Sequence, residues 1–412
     1  HITIGNPCPI VDPETGIVHM TFTRDNRRAF YTRSRDDGVT WTMPREITDW
    51  DRETYRELVA TELTAAQRAR IAEPAHVYEK QREVLAIHWH PEHVPLDLIE
   101  QRVDATFPGR ETELMIPTQH NELVSYGPYT GVEVDCTSPA FHRKVQLLFH
   151  FATSDIEGRG DVFRSMLEHT RRYRASQLFE FIDSVLSPAR ADRVERAAEA
   201  TGADEHLVEF VRIHVARLKA LIDEYEAETP PAMIKNKLVR NYFYALEDEG
   251  FDARLLGHAQ LFLKTVKKIV KERFPLDYFY ESNEFIEEVR ALGGCIVIPH
   301  PEQFWPILLE DLDVDGIEVW NPQSFQYTEF LIDVVHRTNR TFRRSGRPLL
   351  ITMGDDCHMG EKVKDPRHQD PAKAGREIGV QPPWDDLMIR KRLIAANQSR
   401  EKVIAQYRSR LG

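Results

Sequence analysis

Between residues 84 and 358 this chain repeats one arrangement: a short apolar run carries, or leads into, a residue able to bind a metal ion. Val84-Leu85-Ala86-Ile87 runs into His88-Trp89-His90, and Leu114-Met115-Ile116 leads to Thr118-Gln119-His120. Val132-Glu133-Val134 carries Glu133, and Val145-Gln146-Leu147-Leu148 leads to His150. Ile296-Val297-Ile298 is followed by Pro299-His300-Pro301, and Gly316-Ile317-Glu318-Val319-Trp320 carries Glu318. Leu349-Leu350-Ile351-Thr352 leads to Asp355-Asp356-Cys357-His358. Runs of three or four apolar residues suit short buried strands. Parallel strands alternating with helices deliver their C-terminal ends to one face of a sheet or barrel. The chain is therefore expected to be α/β, with six of its 17 histidines and several carboxylates converging at one mouth.

Taken singly, these signals are weak. A lone HxH is often two unrelated histidines, a lone His-Pro is usually a turn, and one buried Glu is readily satisfied inside a core. Taken together in the same phase they are costly to bury without a metal. Imidazole nitrogens with carboxylate oxygens suit zinc, manganese or iron.

The remaining stretches set the organisation. A length of 412 residues allows two or three domains. Residues 1–50 read as β-rich runs, 17–23 and 29–32, separated by the turn Arg24-Asp25-Asn26 and closed by Asp36-Asp37-Gly38. A helical pattern over 51–73 ends at Pro74, so the first boundary is expected at 50/51. Residues 160–275 are almost wholly helical, and a helical insertion is expected at about 157–280. One apolar stripe is Leu207, Phe210, Val211, Leu218, Leu221 and Ile222, and another is Phe262, Val266, Ile269 and Val270. Lys264, Lys267, Lys268 and Lys271 beside the second stripe read as a solvated helix face rather than a phosphate or nucleic-acid patch. Later elements are a helix over 284–291 capped by Asn283, a proline-rich loop over 364–384 and a helix over 385–410.

The ordered set of motifs resembles the polymerase-and-histidinol-phosphatase (PHP) family of metal-dependent phosphoesterases. It comprises His88-Trp89-His90, Gln119-His120-Asn121, Gly131-Val132-Glu133, His150, His300-Pro301 and Asp356-Cys357-His358, over roughly residues 80–360. The resemblance implies a distorted (β/α)7 TIM-like barrel whose C-terminal face holds about two to three divalent ions, Zn, Mn or Fe. It implies His88, His90, Glu133 and Asp356 on one ion, Glu133, His150 and His300 on a second, and His120 and His358 on a third. Asp356 and His300 are the residues expected to be catalytic. The chain departs from the family pattern at Pro91-Glu92-His93, where Glu92 or His93 is expected to complete the third site. It departs also in the short spacing from His120 to Glu133 and in the long helical stretch between His150 and His300. Asp355 and Glu318 are expected to orient ligand histidines. Arg143, Lys144 and Arg159 are candidates for neutralising a phosphoryl group. Metal ions would acidify a bound water and clamp the attacked phosphoryl oxygen.

Ser34-Arg35-Asp36-Asp37-Gly38-Val39-Thr40-Trp41 is similar to the Asp box of sialidase-like β-propellers, a structural hairpin without catalytic groups. Gly38 is expected to allow the tight turn, Asp36 to bond turn amides and Trp41 to pack beneath. Fifty residues make at most one blade of a propeller, so residues 1–50 are expected to be a β fragment preceding the hydrolase at 51–412.

The leading expectation is a hydrolase of a small-molecule phosphate ester. The alternatives are an amidohydrolase-type enzyme, which would want a bridging strand-end lysine, and a non-catalytic protein carrying a glycan-binding propeller remnant. Lys and Arg number 54 against 66 Asp and Glu, a formal charge of −12. That balance argues against a nucleic-acid coat protein while leaving room for a local basic groove. No apolar run has spanning length, so no membrane is expected. Four dispersed cysteines suggest a reducing compartment, and a cytoplasmic location is expected. The sequence says nothing of oligomeric state.

Overall fold

The computed structural model describes residues 4–24, 28–341 and 347–412. The expected turn at Asp25-Asn26 lies outside them. The chain divides into two compact units, residues 1–61 with 174–274, and residues 62–173 with 275–412. The first boundary therefore falls differently from the expected one: the N-terminal strands share a unit with the inserted helices. The reason is packing, because helix Thr48–Val59 places Tyr55 and Val59 in one apolar core with Phe181, Val211, Leu218 and Phe262.

In that first unit, β1 (Ile4–Val11), β2 (Val18–Arg24), β3 (Arg28–Ser34) and β4 (Arg45–Glu46) form an antiparallel sheet in sequence order. The Asp-box hairpin folds as its chemistry dictates. Asp36 Oδ1 accepts from Ser34 Oγ at 2.7 Å and from the Thr40 amide at 2.8 Å. Gly38 takes φ +88°, a conformation in which a side chain is strained, and Trp41 Nε1 donates to its carbonyl at 2.9 Å. The helices Ala191–Thr201, Glu205–Glu224, Lys237–Asp248 and Ala253–Arg273 complete the unit, and the two expected apolar stripes are buried.

Among its described residues the second unit holds ten strands: β5 (Glu83–Ala86), β6 (Trp89–His90), β7 (Thr112–Met115), β8 (Val124–Tyr126), β9 (Tyr129–Ser138), β10 (Arg143–Ala152), β11 (Cys295–Ile298), β12 (Gly316–Trp320), β13 (Leu350–Met353) and β14 (Cys357–His358). Six form one sheet in the order β13-β12-β11-β10-β9-β8, while β5 pairs with β7 and β6 with β14. The fold is thus α/β, but among the described residues the strands do not close into one hydrogen-bonded barrel. Nor are they all parallel. β11, β12 and β13 run parallel, whereas β10 is antiparallel to both β9 and β11. The short link between β9 and β10 forces this, since a parallel pair needs a long crossover.

Several helix ends differ from expectation. The pattern over 51–73 is two helices, Thr48–Val59 and Ala65–Ala72, the second opened by a Thr64–Gln67 capping box. Helix Ser282–Ala291 is capped by Glu281, which pairs reciprocally with Glu284, so Asn283 lies inside the first turn. The C-terminal pattern also splits, into Leu387–Ala395 and Arg400–Leu411, at Asn397 with φ +58° and a Ser399 cap. No helix among the described residues is long and apolar enough to cross a membrane.

Candidate metal centre

Loops at the strand ends of the second unit bring seven of the expected residues together. His88 lies between β5 and β6, and His90 ends β6 beside its register partner His358, which ends β14. His120 bridges by backbone to Glu133 on β9, His300 follows β11 by two residues, and Asp356 follows β13 by three. Three groups of side chains have ligand atoms within 4.8 Å of one another: His88, Glu133 and His300; His88, His90 and Asp356; and His90, His120 and His358.

The geometry centres on two carboxylates. Glu133 Oε1 lies 3.2 Å from His300 Nε2 and 3.9 Å from His88 Nε2, and its Oε2 lies 2.6 Å from His120 Nδ1 and 3.7 Å from His90 Nε2. Asp356 Oδ1 lies 3.2 Å from His358 Nε2, 3.4 Å from His90 Nε2 and 3.8 Å from His88 Nε2. The His90 ring centroid lies 4.5 Å from that of His120 and 4.2 Å from that of His358, with ring planes inclined by 21° and 18°, and those two rings are 5.9 Å apart. The site is strained as well as crowded: Glu92, Asn121, His300 and Asp356 all take positive φ, between +29° and +53°. Such strain clusters where surrounding structure over-determines a functional geometry.

Electrostatics follow from this packing. Burial, then the neighbouring His358 and His120, push the His90 imidazole down to about 3, so it is neutral and keeps a lone pair. Burial also disfavours charge on Glu133, but His120, His300 and His90 more than offset it and hold the carboxyl well below its usual range. Asp356 is likewise held low against burial by His358 and His90. On His88, burial opposes a proton while Glu318, with Asp356 and Glu133 behind it, raises the ring to about 10. A pocket with this many carboxylates requires positive charge within it, as protons or as a cation.

The donor set fits a divalent ion. His88 Nε2 and both ring nitrogens of His90 are buried and make no hydrogen bond. His88 Nδ1 lies 2.6 Å from Glu318 Oε2, and Glu318 Oε1 also accepts from the His300 amide and from Asn321 Nδ2, each at 3.1 Å. Glu318 thus holds the His88 ring and the His300 backbone, with the Nε2 of His88 turned to the centre. Gly354 makes room for this, since a Cβ there would overlap the Glu318 carboxylate.

No family model matches this chain, and no curated protein matches it. Its chemistry rests on its own donors.

Other expected residues are placed elsewhere. His150 pairs in register with Gly131 and Cys295, two residues along from Glu133's partner Leu148. Because β10 runs antiparallel, its C-terminal end points away from the centre, and the His150 Nδ1 lies 2.6 Å from the Tyr407 hydroxyl. Burial pushes its imidazole down to about 3, and it joins none of the three ligand groups. In its place His88 completes the group with Glu133 and His300. Arg159 follows the same strand end, pairs with Asp155 at 3.4 Å and is likewise not brought to the centre. Asp355 touches no histidine; it accepts from the amides of Cys357 at 3.1 Å and Gly379 at 2.9 Å, and burial pushes it up to about 7. Glu92 Oε1 lies 3.5 Å from His358 Nδ1, and neither Glu92 nor His93 is in any of the three ligand groups.

The same strand reversal carries Lys144, near the start of β10, to the sheet face that Glu133 occupies, and turns Arg143 to the opposite face. Arg143 is exposed there, and Lys144 lines a cleft with His300, Gln146 and Gln303 while pairing with Asp135 at 2.5 Å. Two functional contacts escaped the sequence reading. Arg376 Nη1 donates to Asp356 Oδ2 at 2.6 Å and Gln323 Nε2 donates to the same oxygen at 2.8 Å. Both occupy loops where no periodic signal connects them to Asp356.

Proposed function

We propose that the second unit is a metal-dependent hydrolase of phosphate esters, related in its site to the PHP phosphoesterases. One observation carries the proposal: seven ligand-type side chains converge, and nitrogens of His88 and His90 are buried there without hydrogen bonds. His88, His90, Glu133 and Asp356, with His300, His120 and His358, would hold two to three ions of Zn, Mn or Fe. Bound there, divalent ions would supply Lewis acidity toward a phosphoryl group and toward water.

The chain's own groups divide the remaining work. Glu318 fixes the tautomer and direction of His88, and Arg376 with Gln323 occupies one oxygen of Asp356 so that the other faces the histidines. Lys144, which shares a cleft with His300, would offset charge growing on a phosphoryl group, a role that the placement of Arg143 does not support. Glu92 is the better candidate than His93 for completing the group around His358.

We also read this unit as a distorted (β/α)7 barrel. Seven strands, β5, β7, β9, β10, β11, β12 and β13, would form its wall. Two connections support closure: the parallel bridge from His120 to Glu133 between the β7 and β9 sides, and Gln381. Its side-chain amide donates to the carbonyls of Leu85 and Met353, each at 2.7 Å, across the gap between β5 and β13.

Phosphate monoesters and diesters, cyclic amides and sialosides, each assayed with Zn, Mn and Fe supplied, test the proposal. Turnover of a phosphate ester is expected. Turnover of a cyclic amide alone would move the site to the amidohydrolases, and turnover of none would point to a binding role.

A further inference from the structure

We infer that the cleft between helices Lys237–Asp248 and Ala253–Arg273 of the first unit binds the phosphoryl group of a small phosphorylated molecule. This site is independent of the metal centre. Arg240 lines the cleft from one helix, and Lys264 and Lys267, three residues apart and so on one face, line it from the other. Phe181, Tyr244 and Asn236 complete its wall, and the cleft measures about 300 Å³, a size that admits a small molecule.

What sets these cations apart is the lack of an anion. Arg240 Nε is buried without a hydrogen bond, and none of Arg240, Lys264 and Lys267 forms an ion pair with a carboxylate among the described residues. Lys268, one residue on, does: it pairs with Glu272 at 3.9 Å and keeps the reading of a solvated face. Burial, and then repulsion from Arg240, Lys264 and Lys237, holds the Lys267 ammonium below its usual range. Like charges gathered in a partly buried cleft oppose folding unless an anion offsets them, and the whole chain's negative balance makes the local concentration of cations more telling. A phosphoryl group answers this arrangement, with two charges and several acceptor oxygens for a guanidinium and two ammonium groups.

The rest of the wall describes the body of the ligand. Tyr244 offers a partly exposed ring, with the Arg240 guanidinium 6.0 Å from its centroid, while Phe181 lies buried behind the wall. Asn236 Nδ2 donates to Gln177 Oε1 at 2.9 Å, while its Oδ1 is buried without a hydrogen bond. That oxygen is left to accept from an N–H or O–H on the bound molecule. The ligand class is therefore a phosphorylated compound with an apolar ring that carries a donor.

Calorimetric titration of the full chain, stripped with EDTA so that metal-held phosphate does not contribute, tests this with AMP, adenosine and inorganic phosphate as probes. AMP is expected to bind saturably and adenosine at least about tenfold more weakly. Arg240→Glu and Lys267→Glu should each weaken AMP by at least about tenfold, whereas Lys268→Glu and Glu133→Gln should leave it within about twofold. If either charge reversal unfolds the helices, Arg240→Met and Lys267→Met remove the charge without adding an opposite one. The inference is overturned if neither AMP nor inorganic phosphate binds saturably, or if AMP binding survives the cleft variants. It is also overturned if a single-stranded oligonucleotide binds while AMP and phosphate do not, because the cleft would then serve a polyanionic strand.

Discussion

His300 and His150 stand at comparable places in the sequence, each just past an apolar run, and have different fates. His300 turns into the cluster on a backbone at φ +29°, and its ring meets Glu133 at 3.2 Å. His150 turns to Tyr407. His300→Ala is expected to lower phosphate-ester hydrolysis by more than about a hundredfold, roughly 2.7 kcal/mol of barrier, with an unchanged circular dichroism spectrum. Activity within about tenfold of the parent at saturating metal would remove His300 from the centre. His150→Ala, by contrast, should cost stability through lost packing while metal content stays at the parental level. Gly354→Ala belongs with His300: its Cβ would displace Glu318 and so His88, and metal affinity is expected to fall by about tenfold to a hundredfold, read by competition with a chromophoric chelator. Most of the clustered side chains were legible as residues, because histidine and acid at strand ends is a chemical signal carried by the local sequence. Arg376 and Gln323 were not, because their link to Asp356 exists only after distant loops have folded.

At the scale of elements, the apolar runs reported where strands lie but not which way they point. The motif order suggested parallel strands throughout, and β10 runs against both neighbours. Direction is set by the length of the connection from β9, a feature that periodicity does not register, and that single reversal exchanges His150 and Arg159 for Lys144. Helix ends were blurred for a similar reason, since Thr64, Glu281 and Ser399 cap through contacts only a few residues long, while the apolar stripe continues past each break. Helix Glu205–Glu224 supports a pH prediction of its own. Burial, and then Arg217, holds His214 well below its usual range, so the folded helices keep it neutral while an unfolded chain protonates it near pH 6.5. The unfolded state then binds more protons below that pH, and stability falls with acid. Each pH unit below 6.5 should cost about 1.4 kcal/mol until the folded-state value is reached. Urea melts followed by helical circular dichroism between pH 7 and 5 measure this. His214→Leu should flatten the slope, and an unchanged slope would mean that another group carries it.

For the molecule as a whole, composition and motif order were enough for an α/β chain with a helical insertion, yet not for its division. The first 61 residues fold with residues 174–274, because Ile10 and Leu58 pack against the helical core, His19 stacks with Phe251 and Tyr31 packs against it at a tilt. Deleting residues 1–47 is therefore expected to lower the melting temperature of the helices while leaving the metal content of the other unit unchanged; loss of metal as well would make the two units interdependent. If the His/Asp/Glu cluster holds metal, elemental analysis of the purified chain after metal loading and gel filtration will find it. At least two divalent ions per chain are expected from the three ligand groups, falling sharply in His90→Ala and Glu133→Ala and holding in His150→Ala. A chain that retains no stoichiometric metal, or one whose metal survives loss of both His90 and Glu133, would contradict it.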